Sequence, residues 1–377
     1  MLHPADFYRL LEEKGVNFFT GVPDSLLKDF CAYLTDNVPG KNHIIAANEG
    51  NAAAIAAGRH LATGEISLVY LQNSGLGNIV NPAVSLLDPE VYSIPVLFLV
   101  GWRGRPGTRD EPQHIKQGRI TFALLDVLGI RNALLPAETA KAAALLSEAF
   151  AYMKKEQAPF ALVAAPGTFA PYKLQNKVQT NYPLRREEAI KLIVDSLGPG
   201  DVIVSTTGKT SRELYEYRLA RGDSPERDFL TVGSMGHASQ IALGIALAKP
   251  KTQVFCLDGD GALLMHMGGA AVIAGQAPPN FKHIVLNNGA HDSVGGQPTC
   301  GFAVDIPVLA LACGYKTTLR AESPEEIKSA AERLRQSPGP ALLEIRINKG
   351  ARKDLGRPKS TPVENKKLLM QFLAGRN

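Results

Sequence analysis

Short apolar runs alternate with helical patterns along this 377-residue chain, and this alternation limits the fold more than any single motif. In the first half the runs include ISLVYLQN, IPVLFLVGW and PFALVAAPG, and in the second half they include DVIVSTTG, TQVFCLDGDG and HIVLNNG. Parallel strands need long connections, which are usually helices, so this alternation is typical of parallel sheets with crossover helices. We therefore predict an α/β protein with doubly wound parallel sheets.

One segment without this alternation divides the chain into two parts. Residues 170–188 read APYKLQNKVQTNYPLRREE and contain no strand-like apolar run. We interpret residues 170–184 as a linker, which gives a first domain at residues 1–169 and a second at 185–377. The linker is too short to contain a middle domain.

Composition excludes several classes of protein. The formal charge of +5 comes without the Lys/Arg clusters of a nucleic-acid surface, and it suits a small anionic substrate. No stretch reaches the roughly 18 apolar residues of a membrane span, and MLHPADFYRLLEEKG lacks the apolar core of a signal peptide, so we expect a cytoplasmic protein. The cysteines show no metal-ligand spacing, and we interpret all four as reduced and mostly buried: Cys31, Cys256, Cys300 and Cys313.

One acidic residue stands between two glycines where an apolar run is predicted to turn into a helix. It is Asp260 in VFCLDGDGALLM, and the next predicted strand ends 28 positions later at Asn288. The ends of neighbouring parallel strands meet at one edge of a sheet, and carboxylate and amide oxygens suit Mg²⁺ bound to a diphosphate. The same letters also fit an ordinary tight turn followed by an Asn-Gly turn. The G-x-G-x-x-G turn of dinucleotide-binding proteins is absent.

The pattern of GDG, a spacer of this length and NN resembles the fingerprint of thiamine diphosphate-dependent enzymes. The resemblance implies that Asp260, Asn288 and the carbonyl of Ala290 bind Mg²⁺, which in turn holds the cofactor's diphosphate. Glu49 in HIIAANEGNAAAIAAG matches the glutamate that hydrogen-bonds N1′ of the aminopyrimidine in that family. The resemblance places these residues at the cofactor: Glu49, Thr207, Gly208, Gly233, Met235, Gly259, Gly261, Ala262 and Asn288.

Each of these motifs also has a plainer structural interpretation. A carboxylate at Glu49 is stabilised by the helix dipole in many proteins without a cofactor. VGSMGHASQ also fits a Gly-rich entry to a buried helix with Met235 in the core, and STTGKTS also fits a helix cap. The occurrence of all four motifs in the expected order favours the cofactor interpretation.

Two such domains without a middle domain resemble the phosphonopyruvate and sulfopyruvate decarboxylase group. The resemblance extends over the whole chain and is carried by GVPDSLLKDF, RGRPGTRDEPQH, GSMGHASQ and NNGAHDSVGGQPT. It implies non-oxidative decarboxylation of 3-phosphonopyruvate to phosphonoacetaldehyde and CO₂, through a thiamine diphosphate C2 carbanion and an enamine intermediate. The alternatives are a sulfopyruvate decarboxylase with sulfoacetaldehyde as product, a thiamine diphosphate-dependent oxidoreductase component, and a non-catalytic binding protein.

The same group supplies candidates for proton transfer and substrate binding. A three-fold negative substrate needs donors, and the loop around RGRPGTRDEPQH carries Arg103, Arg105, Arg109 and Lys116. The resemblance also implies a homodimer or homotetramer in which Glu49 and Asp260 of one site come from different subunits. The candidate catalytic residues are Glu49, Asp24, His114, His291 and Asp292, and the candidate substrate-binding residues are Ser25, Arg109, Ser293 and Gly295.

Overall fold

The computed structural model describes residues 1–177 and 179–375, which form two compact units. The first comprises Met1–Lys177 together with Ser293–Gln297, and the second comprises the remaining described residues. Each unit is built on its own six-stranded sheet, and the strands pair in parallel. The predicted α/β class with two parallel-sheet domains is confirmed, while the limits at residues 169 and 185 remain our proposal.

The sheet of the first unit is buried on both faces. Leu68 and Tyr70 point into one core, and Val69 and Leu71 point into the other, so the run LVYLQ is apolar without alternation. The strand order is β2-β1-β3-β4-β6-β5. The strands are β1 (Phe19–Gly21), β2 (His43–Ile45), β3 (Leu68–Gln72), β4 (Leu97–Gly101), β5 (Arg131–Leu134) and β6 (Phe160–Ala164). The helices are α1 (Pro4–Glu13), α2 (Lys28–Asn37), α3 (Glu49–Thr63), α4 (Leu76–Pro82), α5 (Pro112–Val127) and α6 (Thr139–Glu156), with a 3-10 turn at Asn73–Gly75 and a π turn at Ala83–Leu87.

The second unit repeats this architecture. Phe255 and Leu257 face one core, and Val254 and Cys256 face the other. The strand order is β11-β12-β10-β9-β7-β8. The strands are β7 (Val202–Ser205), β8 (Asp228–Leu230), β9 (Val254–Gly259), β10 (Phe281–Asn287), β11 (Thr317–Ala321) and β12 (Ala341–Arg346). The helices are α7 (Arg186–Asp195), α8 (Lys209–Ala220), α9 (Ala238–Ala248), α10 (Asp260–Met265), α11 (Gly269–Gln276), α12 (Ile306–Cys313), α13 (Pro324–Gln336) and α14 (Pro362–Ala374), with a 3-10 turn at Pro225–Arg227.

Both sheets have a point where the chain changes direction across the sheet. In the first unit β1 lies between β2 and β3, and in the second unit β7 lies between β8 and β9. Connections on the two sides of such a strand run on opposite faces and leave a crevice at the carboxyl ends, which is where open α/β sheets bind ligands. The loops after β1 and β7 therefore hold the first candidate residues of each unit.

The cysteines follow the prediction in part. All four are free of disulfides, and Cys31 and Cys256 are buried, but Cys300 is exposed because it lies in a loop after β10. The pairing of β9 with β10 also sets Cys256 beside His283, with the ligand atoms of Asp258 and these two residues within 4.8 Å of one another. Sequence spacing could not show this buried group. In the described part of the chain, no helix combines the length and the apolar character needed to cross a membrane.

Candidate active site

Asp260 and Asn288 lie at the same edge of the second sheet. Asp260 is the first residue of α10, directly after β9, and Asn288 follows β10, which pairs in parallel with β9. Asp260 is 2% exposed. Burial raises the pKa of Asp260 to about 6, because loss of water outweighs hydrogen bonds from the Thr299 hydroxyl and the backbone N–H of Asn288. The two residues therefore lie next to each other, as the sequence predicts.

The donor atoms at this edge fit a magnesium ion. The carboxylate of Asp260 is costly to ionise when buried, and a cation beside it would stabilise the ionised form. The side-chain oxygen of Asn288 accepts the N–H of Ala290 at 3.0 Å, and the carbonyl of Ala290 accepts the N–H of Asp292 at 2.9 Å. All three predicted ligands therefore offer the hard oxygen atoms that Mg²⁺ prefers.

Residues that the sequence analysis did not select fix this loop. Asn287 donates from its amide nitrogen to the carbonyl of Gly301 at 2.8 Å and to the buried carboxylate of Glu344 at 2.7 Å. A Cβ atom at Gly301 would lie 2.5 Å from a carboxylate oxygen of Asp260, so this position requires glycine. Glu344 lies on β12, far along the chain from the GDG motif, and no local pattern connects the two.

The loops predicted to bind the diphosphate and the cofactor rings meet after β7 and β8. The N–H of Gly233 donates to the hydroxyl of Thr207 at 2.9 Å. Gly208 has φ +99° where the chain enters α8, a conformation that favours glycine. Met235 is partly buried in the same segment as Gly233. At the GDG turn, a Cβ atom on Gly261 would lie 3.4 Å from the ring of His291, so the structure also brings these two residues together.

Two candidate proton-transfer residues, His291 and Asp292, directly follow Ala290, and their surroundings differ. Asp292 forms ion pairs with Arg186 at 3.2 Å and with Lys209 at 3.5 Å. Burial lowers the pKa of His291 to about 4, so its ring is neutral at pH 7. Asp292 is therefore held by two cations, whereas His291 faces the glycine turn as an uncharged imidazole.

Glu49 begins α3 in the first unit and is almost fully buried. The amide nitrogen of Asn78 donates a hydrogen bond to one of the carboxylate oxygens of Glu49 at 2.7 Å. Burial raises the pKa of Glu49, and the hydrogen bond from Asn78 offsets only part of this rise. Gly75 packs against the other oxygen, where a Cβ atom would lie 2.3 Å away. The pattern around Glu49 gave no indication of either neighbour.

Asp24 lies after β1, at the point where the first sheet changes direction. Gln72, at the end of β3, donates to one carboxylate oxygen at 2.6 Å, and the N–H groups of Leu26 and Leu27 donate to the other at 2.6 and 3.2 Å. Burial raises the pKa of Asp24 despite these bonds and the nearby charge of Arg103. A buried carboxyl group of this kind can hold a proton closer to neutral pH than an exposed one can.

His114 lies in the first turns of α5 and is 8% exposed. Its Nδ1 atom is buried without a hydrogen-bond partner among the described residues. Burial lowers the pKa of His114, and the positive charge of Arg103 lowers it further. Arg103 therefore acts electrostatically on both His114 and Asp24, which places the two candidate proton-transfer groups around one guanidinium.

The candidate substrate-binding residues differ in their surroundings and exposure. Ser25 accepts a hydrogen bond from Arg103 at 2.6 Å, beside Asp24. Arg109 is exposed at the tip of the loop. Ser293 and Gly295 are exposed and belong to the segment Ser293–Gln297 that clusters with the first unit. The roles assigned to all these residues remain predictions.

Comparison with known proteins identifies both halves of the chain. Residues 5–125 match the thiamine pyrophosphate enzyme, N-terminal TPP binding domain, and residues 207–345 match the thiamine pyrophosphate enzyme, C-terminal TPP binding domain. The chain is 37% identical to a phosphonopyruvate decarboxylase of Streptomyces viridochromogenes, over 97% of this chain and 93% of that protein. It is 35% identical to a phosphonopyruvate decarboxylase of Streptomyces hygroscopicus, over 99% of this chain and 94% of that protein.

A sulfopyruvate decarboxylase of Methanosarcina acetivorans is 28% identical to this chain, over 86% of each protein. The matches confirm the resemblance drawn from the GDG and NN motifs, and they cover both cofactor-binding domains. The chain therefore belongs to the thiamine pyrophosphate-dependent enzymes, in the group that contains the phosphonopyruvate decarboxylases.

Proposed function

We propose that this protein converts 3-phosphonopyruvate to phosphonoacetaldehyde and CO₂, with thiamine diphosphate and Mg²⁺ as cofactors. The similarity to phosphonopyruvate decarboxylases over nearly the whole length of both chains is the observation that carries this proposal. The buried carboxylates at the carboxyl edges of both sheets support it, because such a reaction uses carboxylates to bind a metal ion and to transfer protons.

Three oxygen donors of the second unit are proposed to hold the metal: the side chains of Asp260 and Asn288, and the carbonyl of Ala290. The loops with Thr207 and Gly233 are proposed to hold the diphosphate and the rings. When bound, the cofactor supplies a nucleophilic carbon and an electron sink, which a protein side chain cannot provide for loss of CO₂ from a 2-oxo acid. The chain's own residues bind, orient and exchange protons.

Glu49 is proposed to hold and exchange a proton with a ring nitrogen of the cofactor. Burial raises its pKa, so its protonated form is populated at higher pH than that of an exposed glutamate. Asp24 has the same property and is proposed to donate a proton to the substrate-derived carbon before the aldehyde leaves. His114, neutral because burial lowers its pKa, is proposed to orient the substrate.

We also propose that the protein acts as a homodimer or homotetramer in which each site takes Glu49 from one subunit and Asp260 from another. The family resemblance motivates this arrangement. Gel filtration of the purified protein should give a dimer or a larger species. An active monomer would reject it.

The substrate assignment is tested by mixing purified protein, thiamine diphosphate and Mg²⁺ with a panel of 3-substituted pyruvates and trapping the aldehyde. We expect phosphonoacetaldehyde from 3-phosphonopyruvate. The similarity to a sulfopyruvate decarboxylase favours that reaction as the second candidate. Turnover of sulfopyruvate without turnover of 3-phosphonopyruvate would replace the first assignment with the second.

A further inference from the structure

One arginine of the basic loop after β4 is turned inward. The side chain of Arg103 is 20% exposed, whereas Arg109 is exposed to solvent. Arg105 takes a third position and lies over the ring of Trp102, 5.4 Å from its centroid. Lys116 is exposed on α5. The four basic residues are therefore not equivalent, and Arg103 is the one that the fold holds in a defined place near Asp24.

The guanidinium group of Arg103 is fixed along one edge. Its Nε and Nη2 atoms donate to the two carboxylate oxygens of Asp110 at 2.8 and 2.5 Å, and its Nη1 atom donates to the hydroxyl oxygen of Ser25 at 2.6 Å. Asp110 also accepts the N–H groups of Gly104 and Glu111, both at 2.7 Å. The carboxylate is therefore anchored to the backbone and fixes the arginine in turn.

This arrangement leaves donors for a ligand. A guanidinium has five N–H groups, and the bonds to Asp110 and Ser25 take three of them. One N–H remains on Nη1 and one on Nη2, and each can donate a charge-assisted hydrogen bond to an oxygen of a phosphonate. The Ser25 hydroxyl accepts from Arg103 and can donate its own hydrogen to a third oxygen. The donor set therefore fits a tetrahedral dianion.

The position of this donor set also suits the terminal group of the proposed substrate. The charge of Arg103 lowers the pKa of both Asp24 and His114, although burial is the larger effect on each. The guanidinium therefore lies within electrostatic range of Asp24, proposed to protonate the substrate-derived carbon, and of His114, proposed to orient the substrate. In 3-phosphonopyruvate, the phosphonate is separated from the 2-oxo carbon by a single methylene.

We propose that Arg103, oriented by Asp110 and Ser25, binds the terminal phosphonate of the substrate. This inference rests on the proposed function and adds the residue that distinguishes a 3-phosphono acid from an unsubstituted 2-oxo acid. Arg109, the arginine favoured by the sequence, has no such anchoring among the described contacts.

Binding of a stable substrate analogue that carries the phosphonate tests the proposal without catalysis. Trp102 is the only tryptophan in the chain and is adjacent to Arg103, so its fluorescence reports on this site. We titrate the full-length protein with 3-phosphonopropionate and expect a saturable change. Arg103→Met should raise the Kd by about 30-fold, as expected for the loss of charge-assisted hydrogen bonds. Arg119→Met, an exposed arginine on α5, should leave the Kd unchanged.

Three outcomes of this titration would overturn the proposal. They are no saturable change with the parent protein, an unchanged Kd for Arg103→Met, and a larger loss for Arg109→Met than for Arg103→Met. Competition with 3-sulfopropionate adds a further comparison. A sulfonate that binds more tightly than the phosphonate would contradict a subsite for a dianion.

A second pair of variants separates binding from support of the loop. Asp110→Asn keeps the positive charge of Arg103. It should therefore raise the Kd of 3-phosphonopropionate less than Arg103→Met does. Equal losses in the two variants would mean that Arg103 serves only as a partner of Asp110, and the proposal would fail. Arg103→Lys keeps the charge without the planar donor pair and should give an intermediate Kd.

Steady-state kinetics separates failure of this inference from failure of the proposed function. Arg103→Lys should raise KM for 3-phosphonopyruvate much more than it lowers kcat. A parent enzyme that releases no phosphonoacetaldehyde would reject the proposed function. A parent that releases it, beside an Arg103→Met variant with the same KM, would reject this inference alone.

Discussion

The most direct test of the site uses a glycine that contacts Glu49. Gly75 lies in the 3-10 turn Asn73–Gly75, and a Cβ atom built there would lie 2.3 Å from Oε1 of Glu49 and 2.6 Å from its carboxyl carbon. Ordinary contact begins at 3.4 Å, so in Gly75→Ala the carboxylate must retreat by about 1 Å. The hydrogen bond from Asn78 at 2.7 Å would be stretched or lost.

A misplacement of about 1 Å at a reacting group can lower a rate by about 100-fold, which is about 2.7 kcal/mol of transition-state stabilisation. We therefore expect kcat/KM of Gly75→Ala for 3-phosphonopyruvate to fall by about that factor, measured as release of phosphonoacetaldehyde. Overpacking at this buried position should also cost about 1–3 kcal/mol of unfolding free energy, measured by urea denaturation.

Gly77→Ala is the matched control. It makes the same chemical change two residues further on, where no atom lies within 4 Å of the new Cβ. This variant should keep the parent's kcat/KM, and its stability should not fall, because alanine is the better helix former. A folded Gly75→Ala protein with the kcat/KM of Gly77→Ala would refute the reasoning that Glu49 must stay at this position.

The remaining predictions concern the metal, a buried ion pair and pH. Asp260→Ala should abolish the magnesium-dependent heat of thiamine diphosphate binding in calorimetry, and heat equal to the parent's would contradict the metal assignment. Arg218→Met should lower the unfolding free energy by about 3–5 kcal/mol in urea, because it leaves Asp228, bound at 2.8 and 2.9 Å, buried without its partner. Burial lowers the pKa of His43 to about 4 from 6.5, so the native state disfavours the proton that the unfolded chain binds. The contribution of His43 to the unfolding free energy should therefore fall by about 3 kcal/mol as pH drops from 6.5 to 4, and His43→Gln should remove this contribution from the pH dependence.

Local patterns in the sequence were sufficient to predict the fold and to place Asp260 beside Asn288. Alternating apolar runs predicted the two parallel sheets, because each strand and each crossover helix is a continuous segment with its own apolar pattern. Asp260 and Asn288 could be placed side by side because they end successive strands of one sheet, and the structure pairs β9 with β10 as this requires. Prediction succeeded here because the chain order of the two strands is also their order in space.

Contacts that depend on strand order could not be predicted in this way. Gln72 reaches Asp24 because β3 lies beside β1, although β2 intervenes in the chain. Asn78 is 29 residues from Glu49, and nothing in the sequence between them indicates a contact. Arg103 and Arg109 look alike in one basic loop, and only the fold turns the first toward Ser25 and leaves the second in solvent.

Three carboxyl groups of the first unit differ in the direction of their pKa shifts because the fold gives them different partners. Burial raises the pKa of Asp24 and of Glu49, and the amide groups of Gln72 and Asn78 that donate to them are uncharged, so they reduce this rise without reversing it. Burial alone would also raise the pKa of Asp110, but the bidentate guanidinium of Arg103 holds that pKa well below its usual range. A buried carboxyl group with amide partners binds its proton at higher pH than an exposed one does, whereas one paired with a guanidinium remains ionised. The first two are therefore suited to proton transfer, and the third to holding a cation in place for an anionic substrate.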